Sequence, residues 1–358
     1  MSLQWSVQDS ILYANSIGMG QSTEPDGGPE RSYLYRDPEA GADGGVDTAF
    51  PTLPLGLMFK AKPVGSGSSG KRYVPWENPL LKRLVSFDPR KLLHGEQAME
   101  WNPAVPSVNF PAKADTTIAT RLIALQAKKK AVVAFIESTI TTSQGQELCR
   151  MLSSMFLRDA TVKPSIDSKD KATLEYLLNS AEAQQRLKEW RTVLPPKVDP
   201  TTGKIPHYRK AGEMVFHLAP NQASIYRMNG DTNPIHIDTG IAQRVGLDRP
   251  IVHGLCTYGY AARGLQLIAN RMTVEGSATG HYTYALTKMR GRFMNPVFDG
   301  DKLLIISKGV EGGHGVVEYT VQATTEGDAE PRVVMSGIAT YDAVPKVPGH
   351  PPAPASKL

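Results

Sequence analysis

The chain has 358 residues, 41% hydrophobic and 21% charged, proportions that exclude wholesale disorder, collagen and coiled coil and leave room for two ordinary domains. No apolar run reaches the ~20 residues of a spanning helix, the N-terminus carries neither a basic cluster nor an apolar signal core, and two cysteines without a CxxC offer neither a disulfide framework nor a zinc ribbon. The net charge of +5 favours anionic small ligands but lacks the basic stripe with interleaved aromatics that nucleic acid demands, so a soluble intracellular protein with neither a membrane nor a nucleic-acid partner is expected.

In chain order, Val7 to Ile17 reads as a short helix, followed by a Gly/Pro-rich loop from Gly18 to Pro29. Phe50 to Leu55 is too rich in proline for a regular helix interior, and Val64 to Gly70 is almost all Gly and Ser. β-Branched runs at Thr117–Thr120 and Val132–Ile136 flank the basic knot Lys128, Lys129 and Lys130, which predicts a hairpin; Met151 to Leu157 extends that sheet. Asp170 to Trp190 is charged, free of proline and apolar at helical spacing, and Pro195, Pro196 and Pro200 stop it, so a helical linker is predicted between two domains. In the second half Met214 to Leu218 predicts a strand, Ile235 to Val245 a short helix and Leu255 to Ala269 a longer one with an apolar face at Leu255, Tyr258, Ala262, Leu265 and Ala269. Four strand-like runs follow, at His281–Phe293, Leu303–Val310, Val316–Thr324 and Val333–Tyr341. This is an α+β pattern in which a curved sheet can wrap one long helix, and neither a GxGxxG nor a P-loop is present.

The chain ends in a tail holding Pro345, Pro348, Pro351, Pro352 and Pro354, then Ser356-Lys357-Leu358. Such a tail leaves the tripeptide free, and a terminal SKL is the address read by the peroxisomal import receptor. The peroxisomal matrix is the expected compartment.

Chemistry concentrates in Asn229-Gly230-Asp231-Thr232-Asn233-Pro234-Ile235-His236. Asp231 and His236 would lie on different faces of a continuous helix, but a turn at Gly230 and Pro234 can bring both to one point, where an acid and an imidazole can hold a water and move its protons. Asn233 can support the pair through its amide. Read alone, Asp231 also suits a helix cap or an Asx turn, His236 a core imidazole, and Asn233 ordinary turn chemistry; Asp231, His236 and Asp238 as metal ligands form a further alternative. Gly254 sits where the longer helix begins, so its amide suits a developing oxyanion; a glycine there also suits close packing of the helix against a sheet.

Tyr226 to His236, read as YRMNGDTNPIH, resembles the signature of the type 2, (R)-specific enoyl-CoA hydratases, the MaoC-like dehydratases, and Arg249 to Gly264 resembles the segment that follows it. Ile11-Leu12-Tyr13-Ala14 and Leu92-Leu93-His94-Gly95-Glu96-Gln97 resemble the N-terminal half of eukaryotic members. The resemblance implies a double hot-dog fold, α+β, with a curved antiparallel sheet around a long helix in each half: residues 1–164 accommodate the acyl chain, 165–206 form the linker, 207–345 carry the catalytic half, and 346–358 the tail. It implies Asp231 and His236 as the water-handling pair, Asn233 as their support, Gly254 as donor to the thioester oxygen, and His94, Gly95, Lys128 and Phe293 as CoA contacts. No resident cofactor or metal is implied, CoA thioester being the substrate, and a homodimer is the family expectation. The implied reaction is reversible syn addition of water to a trans-2-enoyl-CoA, giving the (R)-3-hydroxyacyl-CoA. A dehydratase or isomerase dedicated to one unusual acyl thioester, and a non-catalytic acyl-CoA binder, are the alternatives. The sequence departs from the pattern at Asn229, where Ser or Thr is usual, and in the length of the linker.

Overall fold

The computed structural model describes residues 1–21, 30–35, 46, 48–63, 74, 77–192, 212–271, 282–310 and 315–345. The Val64–Gly70 loop, the Pro195–Pro200 stop and the tail with its terminal tripeptide lie outside the described residues, as does most of the loop after Gly18. Strand β1 (Ser2–Trp5) leads into helix α1 (Val7–Ser16). A reciprocal cap fixes the helix start, with Ser6 Oγ accepting from Asp9 N and the Asp9 carboxylate accepting from Ser6 N, which satisfies two otherwise unpaired amide groups. Then come α2 (Leu53–Leu57), α3 (Pro79–Leu84), the short β2 (Val85–Ser86), β3 (Leu92–Trp101), β4 (Ala114–Lys128), β5 (Ala131–Thr142), β6 (Glu147–Arg158) and the short β7 (Thr161–Val162). The β4–β5 hairpin turns at the lysine knot and β6 extends it, as expected.

Helices α4 (Ser168–Asn179) and α5 (Ala181–Arg191) precede the second half, which runs β8 (Gly212–His217), α6 (Gln222–Arg227), α7 (Thr239–Arg244), α8 (Gly254–Arg271), β9 (Tyr282–Phe293), β10 (Lys302–Gly309), β11 (Val316–Thr324) and β12 (Arg332–Pro345). Apart from the separate β2–β7 pair, the strands form one sheet in the order β1-β4-β5-β6-β3-β9-β12-β11-β10-β8. Every pairing in it is antiparallel. Counted from the outer edge, each half places its first, third, fourth, fifth and second strands side by side, so one topology occurs twice. The halves meet where β3 pairs with β9, Met99 opposite Met289.

This is the expected double hot-dog arrangement, with two differences of detail. The two half-sheets are hydrogen-bonded into one, and among the described residues the long central helix belongs to the second half alone. In the first half its place is taken by α2 and a 3₁₀ turn over Met58–Lys60, all buried except Lys60. Pro54 at the start of α2 and the run Phe50-Pro51-Thr52-Leu53-Pro54 confine helix here to its first turn, where a missing amide is tolerated.

Helix α8 is buried on every side, including its polar Thr257, Arg263 and Gln266, and is not the one-faced helix that its apolar spacing predicts. Arg263 is neutralised by Glu30 (Nη2–Oε2 2.6 Å) and donates to Ile17 O, while Gln266 donates to Tyr284 O. Such pairing makes burial of the Arg263 cation and the Gln266 N–H groups tolerable, while Gln266 Oε1 has no partner among the described residues. Its contact with α1 depends on Gly259: a Cβ there would stand 2.6 Å from Ile17 Cγ2 and 3.0 Å from Tyr13 Oη. Gly259→Val is therefore expected to lower stability by about 1–3 kcal/mol through overpacking, read as a reduced urea midpoint with an unchanged slope.

The predicted linker helix is two helices broken at Ser180, whose side chain caps α5 through Ala183 N. Both pack on the first half. Leu174 and Leu177 of α4 join a cluster containing Ala134 and Ile136 of β5, whereas Ala183, Leu187 and Trp190 of α5 join one containing Phe135. Alternate residues of a strand face opposite sides, so the two helices grip opposite faces of the N-terminal sheet. Glu137 on the α5 side is buried, with Arg121 Nη2 at 2.6 Å, Arg186 Nη2 at 2.8 Å and Trp190 Nε1 at 3.0 Å. Lys288 of β9 closes the C-terminal end of α5 by donating to Glu189 O and Thr192 O.

Candidate active site

The Asn229–His236 segment links α6 to a 3₁₀ turn over Pro234–His236. Asn229 is fully buried, and its Nδ2 donates to Ser16 Oγ at 2.8 Å and Tyr226 O at 3.0 Å. The departure from the usual Ser or Thr thus bolts the loop to α1 of the other half. Gly230 adopts φ +128°, and a Cβ there would lie 2.9 Å from Lys60 Cγ, so both backbone and space require glycine. Arg227 Nη1 donates to Asn233 O and spans the loop.

Asp231 Oδ1 accepts from Asn233 N at 3.0 Å, and Asn233 Oδ1 accepts from Ile235 N at 3.2 Å. The Asx turn and the cap that form the bland readings of these residues are both present, and they are the means by which the turn delivers His236. His236 Nδ1 lies 2.8 Å from Ile251 O. A carbonyl only accepts, so Nδ1 carries the proton and Nε2 presents a lone pair. Burial and the nearby Arg227 cation hold the His236 imidazole below its ordinary pKa, against the pull of Asp231 and the Ile251 carbonyl; it is a neutral base.

Asp231, His236 and His253 each place one oxygen or nitrogen within 4.8 Å of the others. The alternative trio with Asp238 is overturned: Asp238 is exposed and caps α7 through Ile241 N at 2.8 Å, which also divides the predicted Ile235–Val245 helix in two. By donor type, Asp231, His236 and His253 are the set that could hold a divalent ion; the same convergence suits a water molecule.

His253 is the residue that sequence reasoning missed. It immediately precedes Gly254, and its carbonyl accepts from Cys256 N and Thr257 N at the start of α8. Its ring stacks on His236 with centroids 3.6 Å apart and planes at 24°. The available signal was an imidazole one position before a helix start, overshadowed by the glycine beside it.

Gly254 opens α8, so its N–H belongs to the first turn, which has no intrahelical acceptor. A Cβ there would meet the Phe293 ring at 3.2 Å, and Phe293 in turn lies 5.0 Å from the His94 ring. His94 Nε2 contacts Glu96 O at 3.0 Å, and burial lowers its pKa to about 4. Gly95 is the extra residue of a β-bulge between His94 and Glu96; a Cβ there would meet Ser154 Oγ at 2.9 Å. Three of the four expected CoA contacts thus adjoin one another at the β3–β9 seam beside the start of α8. Lys128 stands apart, exposed at the tip of the β4–β5 hairpin.

Residues 3–159 match the family described as the MFE-2 hydratase 2 N-terminal domain, and residues 191–329 the MaoC like domain. The chain belongs to the MaoC-like, hydratase 2 family. Helices α4 and α5 fall almost entirely between the two matched segments. The chain is 30% identical over 220 residues to an enzyme of Arabidopsis thaliana named enoyl-CoA hydratase 2, peroxisomal, covering 61% of this chain and 60% of that one. It is 40% identical over 304 residues to the Mus musculus peroxisomal multifunctional enzyme type 2, covering 84% of this chain and 32% of that one. The chain therefore spans only part of these relatives. Among solved structures, a MaoC-like dehydratase from Phytophthora capsici superposes with a TM-score of 0.59 at 24% identity, covering 95% and 93% of the two chains. A Mycobacterium tuberculosis protein described as having a double hotdog fold superposes at 0.52 and 12% identity, covering 95% and 94%. These two likenesses establish the double hot-dog fold.

Proposed function

We propose that this hydratase 2 family member is an (R)-specific 2-enoyl-CoA hydratase, adding water reversibly and with syn geometry to trans-2-enoyl-CoA. The observation that carries the reading is the convergence of Asp231 with a His236 whose free nitrogen is a lone pair. Water donates one O–H to the Asp231 carboxylate and the other to His236 Nε2. Its oxygen bonds to C3 as the C2–C3 π pair moves toward the thioester, making an enolate whose oxygen accepts from Gly254 N–H. The proton taken from water returns to C2 on the same face, which closes the balance. Asn233 acts by holding the turn that carries His236.

His94, Gly95 and Phe293 are assigned to the CoA thioester, with the exposed Lys128 reaching its phosphates by charge rather than by fixed contact. The acyl chain is assigned to the apolar first half, where Phe59 and Lys60 back onto Gly230. For the compartment we infer the peroxisomal matrix, on the peroxisomal names of the plant and mouse relatives, with the import receptor as a partner; a fluorescent fusion that stays punctate after loss of Ser356-Lys357-Leu358 counts against that receptor contact. A homodimer, the family expectation, is checked by light scattering.

The deciding assay separates (R)- from (S)-3-hydroxyacyl-CoA after incubation with a trans-2-enoyl-CoA panel of varied length and branching. Formation of the (R) product is expected; an (S) product, or no turnover of any member in either direction, rejects the reading.

A further inference from the structure

His253 is 2% exposed, and neither of its ring nitrogens has a hydrogen-bond partner among the described residues. A buried imidazole left in that condition costs stability unless something at the site uses it. One nitrogen lies within 4.8 Å of both the Asp231 oxygen and the His236 nitrogen that converge there. Tyr226 lies 5.1 Å from the ring and His236 3.6 Å, between centroids, so the ring is packed against both. Burial, reinforced by the neighbouring His236 and Arg227, holds the imidazole well below its ordinary pKa against the pull of the Asp231 backbone carbonyl; it is neutral and carries one N–H.

We propose that His253 is a third catalytic residue of the water site, donating its N–H to the oxygen of the water that Asp231 and His236 hold. The inference rests on the hydratase reading above and deepens it. A water molecule has two O–H bonds and two lone pairs. Asp231 and His236 take the two O–H bonds, and an N–H from His253 takes one lone pair. The remaining lone pair is then the only free direction, and the nucleophile is aimed. No proton is transferred from His253 in this scheme, so the balance given above is unchanged. In the dehydration direction the same N–H supports the hydroxyl oxygen as it leaves C3.

The test compares His253→Phe, which keeps a flat ring against His236 but has no donor, with His253→Gln, which restores an N–H near the same place. Steady-state kinetics on one trans-2-enoyl-CoA are run with thermal melts on the full chain. For His253→Phe the expected result is a kcat lower by about 10–100-fold, the scale of a misaimed nucleophile, with KM little changed and a melting temperature equal to or above wild type. His253→Gln is expected to recover part of kcat. Wild-type kcat in His253→Phe overturns the proposal, as does an equal fall in both variants. If His253→Phe does not fold, the smaller His253→Leu takes its place under the same two criteria. The wild-type arm separates the two claims: a wild type without hydratase activity removes the hydratase reading, whereas an active wild type with indifferent His253 variants removes only the role of His253.

Discussion

Asp231→Ala is expected to lower kcat for hydration by about 10²–10⁴-fold, the range for loss of a positioned acid–base group, while the melting temperature stays near wild type. Asp231 is only partly buried, so truncation strands no buried charge. The hydrogen bond its carboxylate accepts from Asn233 N is a turn contact that water can replace. The loop keeps its shape through Asn229 on Ser16 and Arg227 on Asn233 O. His236→Ala is expected to fall comparably. Groups that act as a unit are non-additive, so the double variant should be no slower than the worse single one within a few fold. An Asp231→Ala enzyme retaining most of its activity, measured by absorbance loss of the enoyl thioester, would remove the carboxylate from the mechanism.

The second large effect is on stability. Glu137→Gln is expected to destabilise the protein by about 1–3 kcal/mol, the scale of charge-assisted hydrogen bonds lost at a buried acceptor whose cationic partners reach solvent. Arg186 and Trp190 of α5 and Arg121 of β4 all converge on that carboxylate, and an amide cannot accept from all three. Burial opposes ionisation of Glu137, but the two guanidinium groups and the indole N–H prevail and hold its pKa down at about 2. A depressed carboxyl pKa adds stability above the unfolded value of about 4.3 and loses it as pH falls through the folded value. Wild type should therefore shed this contribution between about pH 4.3 and pH 2, and Glu137→Gln should show a flatter stability profile there. Parallel wild-type and variant profiles, followed by far-ultraviolet circular dichroism in urea, would mean that the cluster does not hold α5.

Much of the second half was legible in the sequence because its strands alternate cleanly and its helix is long; β11 matches its predicted span residue for residue. Strand β3 was not, because Gly95, Glu96 and Glu100 interrupt the alternation. Their reasons are tertiary: a bulge at Gly95, and ion pairs from Glu96 to Arg290 and from Glu100 to Arg150. The break at Ser180 was missed because serine inside a charged helix carries no signal until its hydroxyl is seen capping the next one. In the site, the local sequence pointed to Asp231 and His236 through their turn chemistry. His253 lies seventeen residues beyond His236, and only folding stacks the two rings.

The Asn229–His236 loop of the second half leans on the first half at Ser16 and Lys60, and α8 does so at Ile17. Two copies of one unit could begin as equals, but once a loop of one is propped by the other, neither can be lost or replaced alone. On the function proposed above, divergence in what such an enzyme accepts is then channelled into the first half, whose lining can drift while the groups of the Asn229–His236 loop stay put.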